Sequence, residues 1–184
     1  MEKKSIWDLD RIDLESYRTK EKLPLVVVLD NIRSLNNIGS IFRTCDAFMV
    51  DHICLCGITA TPPSPEIHKT ALGAEDSVAW RYFSSTMDAL AALRAEDYMI
   101  VVLEQVKGSI DLRELEYPAG AKVAIIAGNE VDGVAQEVVN TADLCVEIPQ
   151  EGTKHSLNVS VSTGLLIWES FRLLNGATTP RHSR

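Results

Sequence analysis

Three short stretches of the chain carry residue types that could do chemistry. The first is Asn37-x-Gly39-x-x-x-Arg43, an amide, a glycine and a guanidinium within one helical segment. The free N–H groups and dipole of a helix N-terminus attract an anion, and a guanidinium nearby makes a phosphate site. Asn37 is placed to cap that helix, and Gly39 permits close backbone approach. Taken alone, a capped helix with a surface arginine is the plainer reading. The second stretch is Gly128-Asn129-Glu130-x-x-Gly133, where two glycines bracket an amide and a carboxylate just as a helix begins. A carboxylate at a strand end in a cleft accepts a ligand hydroxyl or amine, although a tight turn with a helix cap uses the same residues. The third is Ser156-Leu157-Asn158-Val159, opening a long apolar helix. Ser156 is a natural N-cap, which leaves Asn158 at the second helical position without a structural task. His155 reads as a loop histidine, with nothing beside it to poise it as a base.

These stretches need a scaffold that brings them together. The chain has 184 residues, 46% hydrophobic and 24% charged, enough for one domain with a sizeable core. Pro24 to Asp30 is a β-branched run suited to a strand covered on both faces. Further strands are expected at 52–57, 78–83, 98–103, 122–127 and 143–148. Helices are expected at 8–20 (after a cap at Asp8), 39–47, 66–72, 85–96, 134–140 and 156–175. This alternation predicts an α/β fold, a mostly parallel sheet with helices on both faces. Ligands bind at the carboxyl ends of such strands, so the loops after Asp30, Leu103, Ala127 and Ile148 are the candidates. In the last helix Leu157, Val161, Leu165 and Trp168 form one apolar stripe, with Val159, Leu166, Ile167, Phe171 and Leu174 spread over others. A helix apolar all round is buried, in a core or against a partner.

Several classes are excluded. No G-x-G and no G-x-x-x-x-G-K-[ST] occurs, so a dinucleotide Rossmann site, a P-loop and the glycine-rich loop of ordinary class I methyltransferases lose their main support. His52-x-Cys54-x-Cys56 puts three potential metal ligands on one face of a strand, but no distant ligand pair completes a site, and buried thiols are expected instead. The net charge of −8 argues against nucleic acid on its own. However, residues 104–151 hold 10 Asp/Glu against 3 Lys/Arg. A local positive face from Arg33, Arg43, Lys154 and the N-terminal Lys/Arg therefore survives. No apolar run approaches the ~20 residues of a membrane span. The first residues lack a signal peptide's apolar stretch, which implies a soluble, cytoplasmic protein with no membrane partner.

In this order, and at these strand ends, the three segments resemble the SpoU (TrmH-like) family of RNA ribose 2′-O-methyltransferases, of the SPOUT superfamily. Its N-x-G-x-x-x-R motif is matched by Asn37, Gly39 and Arg43, and its G-N-E-x-x-G motif by Gly128, Asn129, Glu130 and Gly133. Its strand-end I-P followed by S-L-N-V is matched by Ile148, Pro149, Ser156, Leu157, Asn158 and Val159. The resemblance covers about residues 24–174. It implies an N-terminal extension at 1–22, partly helical, a SPOUT methyltransferase domain at 23–175 with a C-terminal trefoil knot, and a tail at 176–184. It further implies S-adenosylmethionine as cofactor, with S-adenosylhomocysteine as product and no metal. The implied cofactor contacts are Leu103, Ala127, Gly128, Asn129, Gly133, Ile148, Pro149, Ser156 and Leu157. The expected reaction is methyl transfer to a ribose 2′-hydroxyl of structured RNA, tRNA or rRNA, by a homodimer. Arg43, Asn37, Glu130, Ser156 and Asn158 are the implied catalytic residues. A guanidinium stays protonated in proteins, so Arg43 is read as binding phosphate and stabilising the developing alkoxide. Glu130 is then the proton acceptor or a support for its loop. One alternative is a non-catalytic RNA-binding or ribosome-assembly factor on the same fold. The other is a small-molecule α/β enzyme, which the acidity suits but which leaves three ordered motifs without an account.

Overall fold

The computed structural model of the chain describes residues 1–3, 5 and 11–176. Asp13 caps a first short helix, α1 (Leu14–Thr19), by accepting the Ser16 N–H at 2.7 Å. The helix expected over 8–20 is therefore shorter, and its proposed cap, Asp8, lies outside the described residues, as does most of the tail at 176–184. The elements that follow are β1 (Leu23–Asp30), α2 (Leu35–Ala47), β2 (Val50–Cys56), α3 (Pro65–Ala71), α4 (Ala74–Ser77), β3 (Ala79–Phe83), α5 (Thr86–Ala95) and β4 (Tyr98–Leu103). Then come β5 (Ile110–Asp111), β6 (Lys122–Ala127), α6 (Gln136–Val139), β7 (Leu144–Glu147) and α7 (Val159–Gly176).

Among the described residues the strands form one sheet in the order β3-β2-β1-β6-β4-β7-β5, every neighbouring pair parallel. Leu25, Val27 and Leu29 of β1 face Ile38, Ile41 and Phe42 of α2, Ile67 of α3, and Leu166 and Ile167 of α7. Val26 and Val28 face the other way, toward Ala89, Leu90 and Leu93 of α5 and Val138 of α6. Both faces are covered, which is why β1 reads as an unbroken apolar run. Each such leucine taken fully out of water contributes about 2 kcal/mol. The β1–β2 ladder slips between Leu23 and Val26, where Pro24 has no N–H to give. After β7 the chain returns to the middle of the sheet, where α7 lies on α2 and β1.

Three local expectations are corrected. Helix α2 begins four residues ahead of Gly39, and its cap is Ser34, not Asn37; the Ser34 Oγ accepts the Asn37 N–H at 3.3 Å. Helix α7 begins at Val159, so Ser156 stands in the loop before it. Asn158 takes the capping task, its Oδ1 accepting the Ser160 N–H at 2.9 Å. Within this one chain α7 is buried on one side only. It turns Thr163, Leu166, Ile167 and Ser170 inward, while Val161, Leu165 and Trp168 remain 52%, 42% and 51% exposed along one stripe. Trp168 rests against Phe48 and Phe171, with ring centroids 5.5 and 5.9 Å away. Two further differences are of length. β5 has only two residues, too few to leave a periodic signal, and α6 is shorter than the 134–140 expected. Among the described residues no helix is long and apolar enough to cross a membrane.

Gly39 proves to be a packing residue. A Cβ there would sit 2.2 Å from Thr70 Oγ1 and 2.3 Å from the Ile67 carbonyl oxygen, so the close approach it permits is of α3 to α2. Gly39→Ala should therefore push the two helices apart and lower stability by about 1–3 kcal/mol, as overpacking does elsewhere. Urea unfolding followed by circular dichroism measures this, and an unchanged midpoint would show that α3 yields without cost.

Candidate active site

The carboxyl ends of β4, β6 and β7 open onto a cleft of ≈ 720 Å³. Its walls include Leu103 and Glu104 beyond β4, Ala127 to Val134 beyond β6, Glu147 and Ile148 beyond β7, and His155 to Val159 ahead of α7. Of the residues assigned to the cofactor from sequence, Leu103, Ala127, Gly128, Asn129, Gly133, Ile148, Ser156 and Leu157 line it. Pro149 does not; it is exposed beyond Ile148, outside the lining.

The loop after β6 is built by its own side chains. Asn129 and Gly133 exchange N–H to carbonyl bonds, both 3.0 Å, and Gly133 turns the chain at φ +69°. Asn129 Oδ1 accepts the Val131 and Asp132 N–H groups at 2.8 and 3.2 Å, while its Nδ2 donates to the Asn31 carbonyl at 2.8 Å. A Cβ on Gly128 would fall 2.3 Å from both Gly133 C and Val134 N. The first glycine is thus required by the loop folding onto itself, before any ligand is considered.

Glu130 then reaches out of this loop to the start of α2. Its carboxylate accepts the N–H groups of Arg33 at 3.0 Å and Ser34 at 2.9 Å, and the Asn37 Nδ2 at 3.0 Å. Burial alone would raise its pKa. The bonds from Arg33, Ser34 and Asn37 outweigh that and hold the carboxyl below the usual glutamate value. Asn37 passes the contact on: its Oδ1 accepts the Asn158 Nδ2 at 3.1 Å. One continuous chain of hydrogen bonds, Glu130–Asn37–Asn158, therefore links all three sequence motifs.

Arg43 is not brought to this junction. It follows Asn37 by six positions, about 9 Å along the helix and turned to another side. It is exposed, lies outside the cleft lining, and among the described residues its side chain makes no hydrogen bond or ion pair. Ser156 and His155 stand exposed on the cleft wall. Cys54 and Cys56 are buried with their thiols pushed up to about 12 by desolvation, and among the described residues no group of three His, Cys, Asp or Glu could hold a metal.

Sequence reasoning missed two carboxylates. Glu104 accepts the Val134 N–H and the Gln105 N–H, both at 2.9 Å, and clamps the loop after β6 against the end of β4. Asp30, 2% exposed, accepts from Asn31 Nδ2 at 2.8 Å, Thr86 Oγ1 at 2.6 Å and the Ala135 N–H at 3.1 Å. An acid closing an apolar parallel strand was the available signal in both places. A third residue, Gln105, bridges the cleft by donating to the His155 carbonyl at 2.9 Å.

The parallel sheet and the cleft at its carboxyl edge, with the junction above it, define an α/β domain with a ligand site at its strand ends. The family model of the SpoU rRNA methylase family matches residues 24–168, and the chain belongs to that family. It is 31% identical over 154 residues to a tRNA (guanosine(18)-2′-O)-methyltransferase of Aquifex aeolicus, covering 83% of this chain and 71% of that protein. It is 34% identical over 163 residues to the mouse tRNA (guanosine(18)-2′-O)-methyltransferase TARBP1, covering 85% of this chain but 10% of the mouse protein. Among solved structures, the A. aeolicus TrmH/SpoU tRNA modifying enzyme superposes with TM-score 0.78 at 27% identity, over 93% of this chain and 87% of that one. An AdoMet-bound rRNA methyltransferase from Sinorhizobium meliloti superposes with TM-score 0.76 at 30% identity, over 86% of this chain and 59% of that one.

Two outcomes follow from the loop and its carboxylate. Gly128→Ala should open the loop after β6 and lower stability, read as an earlier thermal midpoint even with no ligand present. A midpoint equal to the wild type would mean that the glycine serves a ligand alone. Glu130 is depressed in the folded state, so its contribution is present above the ordinary glutamate pKa of about 4.3 and is lost as pH falls through the lower folded value. The stability difference between wild type and Glu130→Gln should accordingly be open at neutral pH and close in acid. A difference that stays constant down to acid pH would sink this assignment.

Proposed function

We propose that the chain transfers a methyl group from S-adenosylmethionine to a ribose 2′-hydroxyl of tRNA or rRNA in the cytoplasm. The observation that carries this reading is the Glu130–Asn37–Asn158 junction beside the cleft, in a chain of the SpoU rRNA methylase family. The names of the Aquifex and mouse relatives, both 2′-O-methyltransferases, support the position of the methyl group. The AdoMet-bound Sinorhizobium structure supports the cofactor.

The residues present fit that cofactor. The cleft volume lies within the ~300–1,000 Å³ typical of small-ligand sites. Leu103, Val106, Ile148 and Leu157 offer apolar surface to an adenine ring, and Glu104 and Glu147 give negative lining to a ligand bearing sulfonium and ammonium charges. When bound, the cofactor supplies an electrophilic methyl group on a sulfonium. The O–C bond would form as the S–C bond breaks, leaving S-adenosylhomocysteine, with the hydroxyl proton released to solvent. The work left to the chain is to orient the ribose hydroxyl and stabilise the oxygen as it gains charge. Asn37 and Asn158 are held in fixed rotamers by their mutual bond and orient the ribose. Arg43, a permanent cation, binds the adjacent phosphate and steadies the developing alkoxide. Glu130 serves as support: a carboxylate held by three donors, with a depressed pKa, is a weak base.

Arg43 stands outside its own cleft, which argues for a site completed by a second copy. The stripe Val161, Leu165 and Trp168 on α7 supports the homodimer. A non-catalytic RNA-binding or assembly factor has less support, because the relatives' names and the AdoMet-bound structure favour methyl transfer.

The experiment is methyl transfer from labelled S-adenosylmethionine to total RNA, followed by nucleoside analysis. A 2′-O-methylnucleoside is expected, and a methylated base or no product at all would overturn the reading. Arg43→Ala should slow transfer about a hundredfold or more, equivalent to about 3 kcal/mol, while cofactor affinity by calorimetry stays within twofold. Unaltered turnover would remove Arg43 from the mechanism. Leu165→Glu should put a carboxylate into the dimer contact and shift the sedimenting species toward a monomer. A wild type already monomeric at micromolar concentration would refute the dimer.

A further inference from the structure

A second, smaller cavity of ≈ 270 Å³ lies on the other side of the loop after β6. Asn129, Asp132 and Gly133 line both it and the main cleft, so the loop is a partition between the two. Its remaining walls are Asp30 at the end of β1, Asn31 and Arg33 beyond it, Ile58 beyond β2, and Ala135. The floor is built to hold its shape. Asn31 takes a left-handed backbone conformation, φ 56°, which a non-glycine residue adopts at a cost. It is fixed there from three sides. Its carbonyl accepts from Asn129, its Nδ2 donates to Asp30, and its Oδ1 accepts the Ile58 N–H at 3.2 Å. Gly57 leaves room for it, since a Cβ at that position would stand 2.2 Å from Asn31 Oδ1.

Three groups at this cavity have no structural employment. The Arg33 guanidinium and the Asp132 carboxylate are both exposed, and among the described residues neither side chain makes a hydrogen bond or an ion pair, with each other or elsewhere. Ile58 leaves 62% of its surface in water. A permanent cation, an apolar face and an acceptor-only carboxylate around one small cavity complement a nucleotide: phosphate, base face and base edge. A carboxylate cannot donate, so it favours the base with two adjacent N–H donors on its pairing edge, which is guanine. The cavity is also next to the catalytic junction, because the backbone N–H of Arg33 is bonded to Glu130.

We infer that this cavity is a second nucleotide subsite, taking a guanosine of the substrate RNA that flanks the methylated ribose, with its phosphate on Arg33 and its base edge on Asp132. The inference rests on the reading of the chain as an RNA methyltransferase, and gives that enzyme a sequence preference set across the loop that bounds the cofactor cleft.

The test uses fluorescence anisotropy with two short labelled single-stranded RNAs, one containing guanosines and one with inosine, which lacks the 2-amino donor, at each of those positions. Wild type should prefer the guanosine RNA about tenfold, the worth of one good charge-assisted hydrogen bond. Asp132→Asn should abolish that preference while leaving affinity for the inosine RNA within twofold. Arg33→Ala should weaken both RNAs about equally and reduce the dependence of log affinity on log salt by about one charge. Both side chains are exposed, and matching thermal midpoints will confirm that the variants fold. The subsite is overturned if wild type binds the two RNAs equally, or if neither substitution changes either affinity beyond twofold. Methyl transfer to total RNA is measured in parallel. Transfer without dependence of binding on Arg33 and Asp132 sinks the subsite alone, whereas guanosine-selective binding without any transfer sinks the enzymatic reading and leaves the subsite standing.

Discussion

The carboxylate of Glu130 is the interaction on which the site depends. It fixes two N–H groups at the start of α2 and the amide of Asn37, and so ties the loop beyond β6 to the helix beyond β1. A helix N-terminus carries unsatisfied N–H groups and partial positive charge, so an acid in that place is favoured twice, by hydrogen bonding and by the dipole. Asn37 then orients toward Asn158, and the C-terminal helix is brought into register with the rest. If Glu130 is lost, the first two motifs have no direct bond between them.

The glycines around this carboxylate have reasons that are steric before they are chemical. Gly128 and Gly133 let the loop fold on itself and lie against Glu104, and Gly39 lets α3 settle onto α2. Several positions of the motifs are thus accounted for by packing alone. Asn129, Glu130 and Asn158 also have structural tasks, and of the motif side chains Arg43 is the one that packing does not employ.

The parallel sheet was readable from β-branched runs alternating with helical stretches, because burial on both faces removes the polar alternation of a half-exposed strand. The loops holding the site were readable from the rule that ligands meet the carboxyl ends of such strands. Helix starts were less legible. Ser34 and Ser156 are both plausible caps by residue type, yet only Ser34 caps, because the geometry of the loop before α7 hands that task to Asn158. The clamps made by Asp30 and Glu104 left only a weak signal, an acid at the end of an apolar strand. Each takes a backbone N–H far along the chain, of Ala135 and of Val134, and such a group has no identity in a sequence. The separation of Arg43 from the cleft follows from helical pitch, which a motif written in one dimension conceals.

The bonds that assemble the junction span the chain: Glu130 meets Ser34 96 positions away, Asn37 93 positions away, and Asn37 meets Asn158 at a separation of 121. Closing such loops costs entropy, which the long-range pairing of β1 with β6 in the same sheet helps to offset. On a ribosome the consequence is sharper, since the chain emerges from its N-terminal end. Until Asn158 has left the exit tunnel, β1 to β7 can already be paired while the amide that completes the junction is still missing. For this fold, competence waits on the emergence of a single amide, that of Asn158.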